Sequence, residues 1–359
     1  MLQIYKKDQL NDEDITQWNQ LWEKEESASY WNSFCWYNAC KQTAYPDIEV
    51  WFVYQDSELI AILPLEPKRY KLVNCLVTFG QPFTDKSTIL INKNNSKLIP
   101  EIIKKLGVSK PVILTEIEQS QCAELLSDVL HEESAACLYL DFTMDFEKQV
   151  AMKMWRQFDR KVKKSTYTYT VYHGNDAQPY IDVLWDIEQL SNKAKLGRLH
   201  FFNDTIKELY RKATAGPDTM LTILYDGEKT FAYELGFLTK GKYYIGHIWA
   251  YDDEYKKIGP GRFILNWLLQ YLKDHNCVKY DFSRGESIIK SDHAIYSEKN
   301  YTLYYNAKNL TLLWFKLRVR LMERYLLSKN KDGSLYKIWT KLKEFKRSFE
   351  KTNKEGNSK

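Results

Sequence analysis

The chain has 359 residues, of which 44% are hydrophobic, 28% charged and 15% aromatic. This composition excludes a disordered or collagen-like chain and predicts a packed core. At this length a single core has usually stopped growing, so we expect two domains of similar size. The net charge of +5 is too small to indicate a nucleic-acid-binding protein, although it can hide an asymmetry along the chain.

The N-terminus has no apolar run after Lys6 and Lys7, and no window reaches the roughly 18 to 20 consecutive apolar residues that span a bilayer. We therefore expect no signal peptide, no transmembrane helix and a cytoplasmic location. The six cysteines form neither CxxC pairs nor Cys/His clusters at zinc spacing. This pattern predicts buried free thiols in a reducing compartment, with no metal site.

Helical and strand-like patterns alternate along the chain. The first helix is capped by Asn11, and a second covers residues 34–43. The apolar face of the first helix consists of Ile15, Trp18, Leu21 and Trp22. Two strand-like runs, EVWFVY and LIAILPL, then flank a polar turn. After further alternation to about residue 141, a long helical segment at 145–164 leads to the strand-like YTYTVY. The order predicts an α/β fold, with helices flanking a sheet.

The two halves of the chain share a pattern at a shift of 171 positions. Residues Thr43, Ala44, Pro46, Asp47, Tyr54 and Ala61 fall on Thr214, Ala215, Pro217, Asp218, Tyr225 and Ala232. Each half reads as helix, T-A-x-P-D turn, strand, polar turn, strand. Coincidence is the alternative, but identities at both a turn and a strand pair favour a duplication of one α/β unit, joined near residue 147.

One feature distinguishes the second copy. After the strand YYIGHIWA it carries a loop with Gly259 and Gly261, which opens into the helical pattern FILNWLLQYLKDHN. The first copy has no glycine pair before a helix. Glycines at a helix N-terminus let backbone N–H groups approach phosphate oxygens, and Lys256, Lys257 and Arg262 could add charge. The alternative is an ordinary helix start in which Pro260 sets the backbone angle. The spacing matches neither GxxxxGK[ST] nor GxGxxG.

These residues carry a resemblance to a known family. Lys256-Lys257-Ile258-Gly259-Pro260-Gly261 resembles the Q/R-x-x-G-x-G/A pyrophosphate loop of the GNAT acyl-CoA N-acyltransferases. Together with Tyr280-Asp281-Phe282-Ser283-Arg284-Gly285 and Lys290, the stretch from Tyr251 resembles the CelD/BcsL-like branch, associated with bacterial polysaccharide and envelope biosynthesis. The segment MWRQFDRKVKKSTYTYTVY is similar to the helix before the second half in this branch and in the FemABX transferases. Lys256 stands where this loop usually has Gln or Arg, and Gly259 where the branch often has Ser, so a different activated donor is the alternative.

The resemblance implies a tandem duplicated GNAT-like fold with C-terminal helices. Residues 1–147 would form a degenerate GNAT-like domain, 148–310 a GNAT domain with the donor loop, and 311–359 a helical tail. It also implies acetyl-CoA or another acyl-CoA as the co-substrate. The residues it assigns to the donor are Ile248, Trp249 and Ala250 on the splayed strand, with Lys256, Gly259, Gly261 and Arg262 in the loop.

The implied reaction is attack of an amine on a thioester, which needs a group that accepts a proton. Glu234 lies in the strand FAYELGF, where a carboxylate is costly unless it is paired or tuned for acid/base work. His247 has a suitable intrinsic pKa, although a structural histidine is equally consistent with the pattern. Asp281 ends the strand after the loop helix, where α/β sites gather, or it caps the turn. We expect Glu234, Asp281 and His247 in the catalytic site.

Acceptor-binding candidates follow that strand. Arg284, Glu286 and Lys290 lie in a glycine-containing segment and would suit an acidic or hydroxyl-rich acceptor, with solvated surface charge as the alternative; Lys290 rests on the family match. The resemblance implies a small-molecule or lipid-linked sugar acceptor.

The last 49 residues are strongly basic. From Thr311 to Lys359 there are 14 Lys and Arg against five Asp and Glu, so residues 1–310 have a net charge of −4. Apolar residues recur at helical spacing in this tail, opposite the lysines. In its second helix they are Leu335, Ile338, Trp339, Leu342, Phe345 and Phe349. Such a helix could lie on the anionic inner face of a membrane or pack back on the protein.

Three functions compete at this stage. The first is an acyl-CoA-dependent N-acyltransferase acting on an amino sugar or another envelope precursor. The second, resembling FemABX, takes an aminoacyl group from charged tRNA, with phosphate contacts from the basic helix before residue 165. The third is a non-catalytic accessory protein of polysaccharide biosynthesis, which the kept glycine loop disfavours.

Overall fold

A computed structural model describes residues 1–70, 73–106, 110–144, 160, 164–196, 200–201, 203–285, 290, 293–294 and 296–306. The strands are β1 Leu2–Lys7, β2 Glu49–Gln55, β3 Glu58–Tyr70, β4 Val73–Thr78, β5 Leu90–Ile91, β6 Val112–Glu118, β7 Leu130–Asp141, β8 Thr168–His173, β9 Thr219–Asp226, β10 Lys229–Thr239, β11 Tyr243–Tyr251, β12 Lys279–Arg284 and β13 Tyr296–Tyr305. The helices are α1 Asp12–Lys24, α2 Phe34–Lys41, α3 Ile99–Lys105, α4 Gln119–Cys122, α5 Ile181–Leu190, α6 Asn192–Lys195, α7 Asp204–Ala213 and α8 Pro260–Asp274. The predicted helix at 145–164 and the predicted tail helices lie almost entirely outside these residues.

All described strands belong to one mixed sheet. Its order is β1-β2-β3-β4-β6-β13-β7-β12-β11-β10-β9-β8, and β5 pairs with β3. The described residues within 1–69 and 74–306 form one compact unit. The α/β fold with flanking helices predicted from the sequence is confirmed.

The element boundaries follow the shift of 171 positions. Helix α2 maps onto α7, β2 onto β9 and β3 onto β10, while α1 maps onto α5 and α6. The α1 cap is also confirmed, because the Asn11 side chain accepts a hydrogen bond from the Asp14 N–H while the Asp14 carboxylate accepts one from the Asn11 N–H. The copies diverge after β3 and β10.

The two halves exchange their last strands. β7 closes the N-terminal half in sequence but pairs with β12 of the C-terminal half, in an antiparallel arrangement. β13 comes from the C-terminal half and pairs with β6 of the N-terminal half. β7 and β13 also pair with each other at the centre of the sheet. The sheet is therefore continuous across the predicted boundary near residue 147, and the domain limits stay a prediction.

The halves also share a hydrophobic core on one face of the sheet. Tyr30 stacks on Phe237 with ring centroids 3.6 Å apart, and its hydroxyl donates a hydrogen bond to the Ala213 carbonyl at 2.8 Å. Trp31 and Trp36, both fully buried, pack beside this pair. Helices α2 and α7 lie over this core, so we call this side of the sheet the α7 face and the other side, which α8 covers, the α8 face.

The six cysteines are free thiols, and all but Cys35 are buried. Burial raises the pKa of each of them, for example that of Cys75 to about 11, so that the thiol form is favoured. No helix in the described part of the chain is both long and apolar enough to cross a bilayer.

A buried ion cluster joins the halves beside the exchanged strands. The Lys86 ammonium lies 2.9 Å from both the Glu118 and the Asp281 carboxylates, and Tyr139 donates a hydrogen bond to Glu118 at 2.7 Å. Burial alone would lower the pKa of Lys86, but Asp281 and Glu118 raise it well above its usual value. The lysine is therefore charged and bridges two carboxylates, one from each half.

Replacing Lys86 should destabilise the protein strongly. In Lys86→Met the two buried carboxylates would face each other without a cation, and breaking a buried pair typically costs about 3–5 kcal/mol. The matched control is Lys299→Met, which removes a half-exposed pair with Glu133 and should cost less than about 1 kcal/mol. Urea unfolding of both variants measures the difference. Equal losses would contradict a stabilising role for the cluster.

Candidate active site

The sheet opens between β11 and β12. These parallel strands pair at Tyr243 with Lys279, Tyr244 with Tyr280 and Ile245 with Asp281, and the described strands diverge beyond that point. Where the two strands begin to diverge, the Ser283 hydroxyl links them by donating a hydrogen bond to the Gly246 carbonyl at 2.5 Å. Ser283 has a φ of +61°, and the pairing of β12 with β7 shifts register here. The irregular backbone turns the end of β12 away from β11.

A cavity of about 260 Å³ fills this opening and is lined from both faces of the sheet. From the α8 face it receives Glu234, Tyr280, Phe282, Gly261 and Leu265. From the α7 face it receives Phe83, Asp85, His200, Tyr210 and His247. A molecule bound in the opening can therefore be reached from two directions. Phe83 and Asp85 come from the N-terminal half, so both halves build the cavity.

Glu234 is the buried carboxyl of the α8 face. It accepts a hydrogen bond from the Tyr280 hydroxyl at 2.5 Å. Burial raises its pKa to about 7, although the Tyr280 hydrogen bond opposes this effect. A Cβ at Gly246 would lie 2.5 Å from the Tyr280 hydroxyl and 2.8 Å from the Glu234 carboxylate, so the pair needs glycine at this position. Near neutral pH this carboxyl can either hold or accept a proton.

His247 lies on the α7 face in a chain of polar contacts. Its Nε2 is 2.7 Å from the Tyr210 hydroxyl, and its Nδ1 is 3.7 Å from the Asp85 carboxylate. Trp31 packs edge-on against the ring at 4.8 Å between centroids. Burial alone would raise the pKa of Asp85, but His247 and Arg284 lower it, so Asp85 is ionised. The Tyr210 contact therefore holds one edge of the imidazole, while the Asp85 carboxylate lies beyond hydrogen-bond distance of Nδ1.

The acceptor-binding candidates have different surroundings. Arg284 is engaged with the N-terminal half, because its guanidinium lies 2.6 Å from the Glu116 carboxylate and 3.4 Å from that of Asp85. The Lys290 ammonium donates hydrogen bonds to the backbone carbonyls of Ser283 and Arg284, and its side chain lines the cavity. Glu286 lies outside the described residues.

Asp281 lies apart from the other two catalytic candidates. Side chains alternate along β12, so Tyr280 and Phe282 point to the cavity while Asp281 points to the α7 face, where it binds Lys86. There it lines a second cavity, of about 530 Å³, together with Glu118 and Tyr139. The structure thus brings Glu234 and His247 together and places Asp281 in the ion cluster.

The glycine loop is more regular than its sequence suggests. Residues Asp253–Ile258 form a 3₁₀ helix, and Gly259 follows with a φ of +77°, in the left-handed region that favours glycine. Helix α8 then begins at Pro260, earlier than the predicted pattern, because proline is pre-set for the first helical position. Gly261 and Arg262 therefore belong to the first turn of α8, where backbone N–H groups lack intrahelical partners. Lys256 is exposed beside them.

Trp249 covers this helix start. A Cβ at Gly261 would lie 2.9 Å from the Trp249 ring, so glycine allows the indole to pack there. Ile248 and Ala250, its neighbours on β11, are buried in the core of the α7 face. The splayed strand, the first turn of α8 and the cavity are thus adjacent, as the resemblance implies for a donor site.

Several lining residues have no signal in the sequence. Asp85 and Phe83 lie far from the glycine loop along the chain, and Tyr210 and His200 belong to α7 and to the segment before it. Tyr280 was visible only as part of the strand motif next to Asp281. The alternation of side chains along β12 is enough to predict that Tyr280 and Asp281 lie on opposite faces of the sheet. Local patterns do not predict that the N-terminal half contributes residues to the cavity. In the described part of the chain, no cluster of three or more His, Cys, Asp or Glu side chains could hold a metal ion.

Comparisons with known proteins show a similar family domain and a similar fold. Residues 150–291 match the family model described as "Acetyltransferase (GNAT) domain". The fold is similar to the C-terminal domain of a putative lysylphosphatidylglycerol synthetase from Agrobacterium fabrum, with a TM-score of 0.59 at 13% identity over 86% of this chain and 97% of that one. No curated protein sequence matches the chain.

Two further solved structures share the fold. L-PGS from Bacillus licheniformis has a TM-score of 0.54 at 12% identity, covering 77% of this chain and 93% of that one. FemX has a TM-score of 0.57 at 9% identity, covering 82% and 96%. Residues 150–291 are therefore similar to a GNAT acetyltransferase domain, within a larger fold that resembles those of these proteins.

Glu234 should make stability depend on pH. Because its folded pKa of about 7 lies above the ordinary value of 4.5, its contribution to stability is complete below pH 4.5 and falls as the pH rises to about 7. Relative to Glu234→Gln, which does not titrate, the wild-type protein should lose about 2–3 kcal/mol of unfolding free energy between about pH 5 and 8. Urea unfolding of both proteins at each pH measures this. A difference between the two proteins that does not change with pH would contradict the raised pKa.

Proposed function

We propose that the chain is an N-acyltransferase that moves an acyl group, in the simplest case acetyl, from acyl-CoA to the amine of an amino sugar or another envelope precursor. The observation that carries the proposal is that the glycine-led start of α8 and the buried Glu234 open on the same gap between β11 and β12. The acceptor class and the CelD/BcsL-like branch rest on the sequence resemblance.

The gap suits a thioester donor. Backbone N–H groups in the first turn of α8 and the nearby Lys256 and Arg262 would hold the pyrophosphate, since helix N-termini favour negative charge. The pantetheine arm would follow the splayed segment Ile248–Ala250, whose backbone groups would contact the thioester. Gly261 leaves room for close approach once the Trp249 indole shifts. This chain's contribution would then be chiefly to hold amine and thioester together, which can lower a barrier by about 7–11 kcal/mol.

The polar groups of the cavity divide between the two faces. Glu234 and Tyr280 lie on the donor side, where a carboxyl with a pKa of about 7 can exchange a proton with the reacting groups near neutral pH. Asp85 and His247 lie on the opposite side, where the ionised Asp85 favours the approach of an ammonium group. We assign Glu234 an acid/base role and His247 a positioning role, and keep Lys290 as an acceptor contact. Asp281 would act through the ion cluster.

Donor binding should depend on charge at the glycine loop. Lys256→Glu is expected to weaken acetyl-CoA binding at least about 5-fold, because it places an anion beside the pyrophosphate. The matched control is Lys242→Glu, which makes the same charge change at an exposed position at the other end of β11 and should leave affinity unchanged. Isothermal titration calorimetry with acetyl-CoA measures both. An equal loss in the two variants would show that only overall charge matters.

A second function is favoured by the fold comparisons. The solved structures that share this fold include a lysylphosphatidylglycerol synthetase domain and FemX, so an aminoacyl transfer from charged tRNA is the alternative. Thermal-shift measurements with acetyl-CoA, longer acyl-CoAs and charged tRNA separate the alternatives. A saturable shift with an acyl-CoA supports the first function, a shift with charged tRNA alone supports the second, and no shift with any donor supports an accessory role.

The basic tail provides a test of membrane contact. If residues 331–359 dock on an anionic surface, the full chain should sediment with vesicles containing phosphatidylglycerol, and a chain ending at Asn330 should bind more weakly. Neutral phosphatidylcholine vesicles serve as the control for charge. Equal binding by the two proteins would contradict the proposed docking.

A further inference from the structure

Glu188 on α5 is a completely buried carboxylate with four hydrogen-bond donors. Its Oε1 accepts from the His200 ring at 2.6 Å and from the Tyr233 hydroxyl at 3.0 Å. Its Oε2 accepts from the backbone N–H groups of His200 at 2.9 Å and Phe201 at 3.1 Å. Burial alone would raise the pKa of Glu188, but the His200 ring and the Phe201 N–H lower it. A carboxylate held in this way stays ionised.

This contact fixes the tautomer of His200. Because an ionised carboxylate only accepts hydrogen bonds, the His200 Nδ1 facing Glu188 must carry the proton. In a neutral ring the lone pair then lies on Nε2. Among the described residues Nε2 has no hydrogen-bond partner, and the side chain, 32% exposed, lines the cavity. Burial lowers the pKa of His200 below its usual value, so the ring is neutral at physiological pH.

The other cavity histidine is differently engaged. The Nε2 of His247 is 2.7 Å from the Tyr210 hydroxyl, and its side chain is only 5% exposed. Glu234 is on the α8 face, the side of the donor. His200 thus presents a basic nitrogen from the α7 face, where the acceptor amine would enter. The charged and titratable groups that face it are Glu188 on α5, Lys193 on α6 and His247 on β11.

We propose that His200, oriented by Glu188, takes the proton from the acceptor amine. This inference rests on the proposed function. The amine nitrogen forms a bond to the thioester carbonyl carbon, the carbon–sulfur bond breaks, and the thiolate leaves with the electron pair. The proton lost by the nitrogen moves to Nε2 of His200 and is later returned to solvent or to the thiolate. Glu188 acts as a positioning residue that keeps Nε2 directed into the cavity.

The first test needs no substrate. Nitrogen NMR of the full-length protein with ¹⁵N-labelled histidine should show His200 neutral at pH 7.5, with the proton on Nδ1. The signal is assigned with His200→Gln, and His131→Gln, at an exposed position on β7, is the control. Glu188→Gln should lower the population of this tautomer. A charged His200 ring, or a proton on Nε2, would overturn the proposal whatever the reaction is.

The second test uses acetyl-CoA with glucosamine as the amine probe and follows thiol release from pH 5.5 to 9. His200→Gln should lower kcat about 100-fold and abolish the limb of the pH profile that reports His200, while acetyl-CoA binding by calorimetry stays unchanged. Glu188→Gln should lower kcat with little change in KM, and His131→Gln should match the wild type. An unchanged pH profile in His200→Gln would overturn the inference alone. Failure of the wild-type protein to bind any acyl-CoA would instead overturn the proposed function, and the NMR result would still decide the state of His200.

Discussion

The exchange of β7 and β13 between the halves is the constraint on which the rest of the structure depends. Because each half completes the other's sheet, the segment with Phe83 and Asp85 is held at a fixed place beside β11 and β12. Buried charges reinforce this arrangement, since Arg284 reaches Glu116 and Asp85, and Asp281 reaches Lys86. The cavity is thus a product of both copies, although only one copy kept the glycine loop.

The divergence of β11 and β12 gives the cavity its chemical character. A continuous sheet would separate its two faces completely, whereas the opening above Gly246 lets side chains of both faces meet. Glu234 and Tyr280 then occupy one side and His200, Tyr210 and His247 the other. A carboxyl whose pKa is raised, Glu234, and a histidine whose pKa is lowered, His200, can therefore both lie close to one reacting centre without contacting each other.

The sequence predicted the parts of the site that depend on neighbours along the chain. The loop with Gly259 and Gly261 and the strand with Glu234 follow local patterns, and the duplication predicted the order of helices and strands. A catalytic role for Asp281 stays a prediction. Its ion-pair partner Lys86 is almost two hundred positions away along the chain, so local patterns could not indicate this contact. The contacts of Asp85, Tyr210 and His200 likewise arise from packing between distant segments, which composition and periodicity do not encode. The exchange of β7 and β13 has no local signal for the same reason.

The strand exchange also has a consequence for synthesis on the ribosome. When the N-terminal half has emerged, β6 still lacks its neighbour β13, which begins more than 170 residues after the end of β6. Until then one edge of β6 is unpaired. The strand has the sequence VILTEIE, most of whose residues are buried in the folded protein, and such an edge pairs readily with other chains. Nascent chains of this protein therefore pass through a stage in which this edge has no partner strand, and an unpaired edge favours association with other chains.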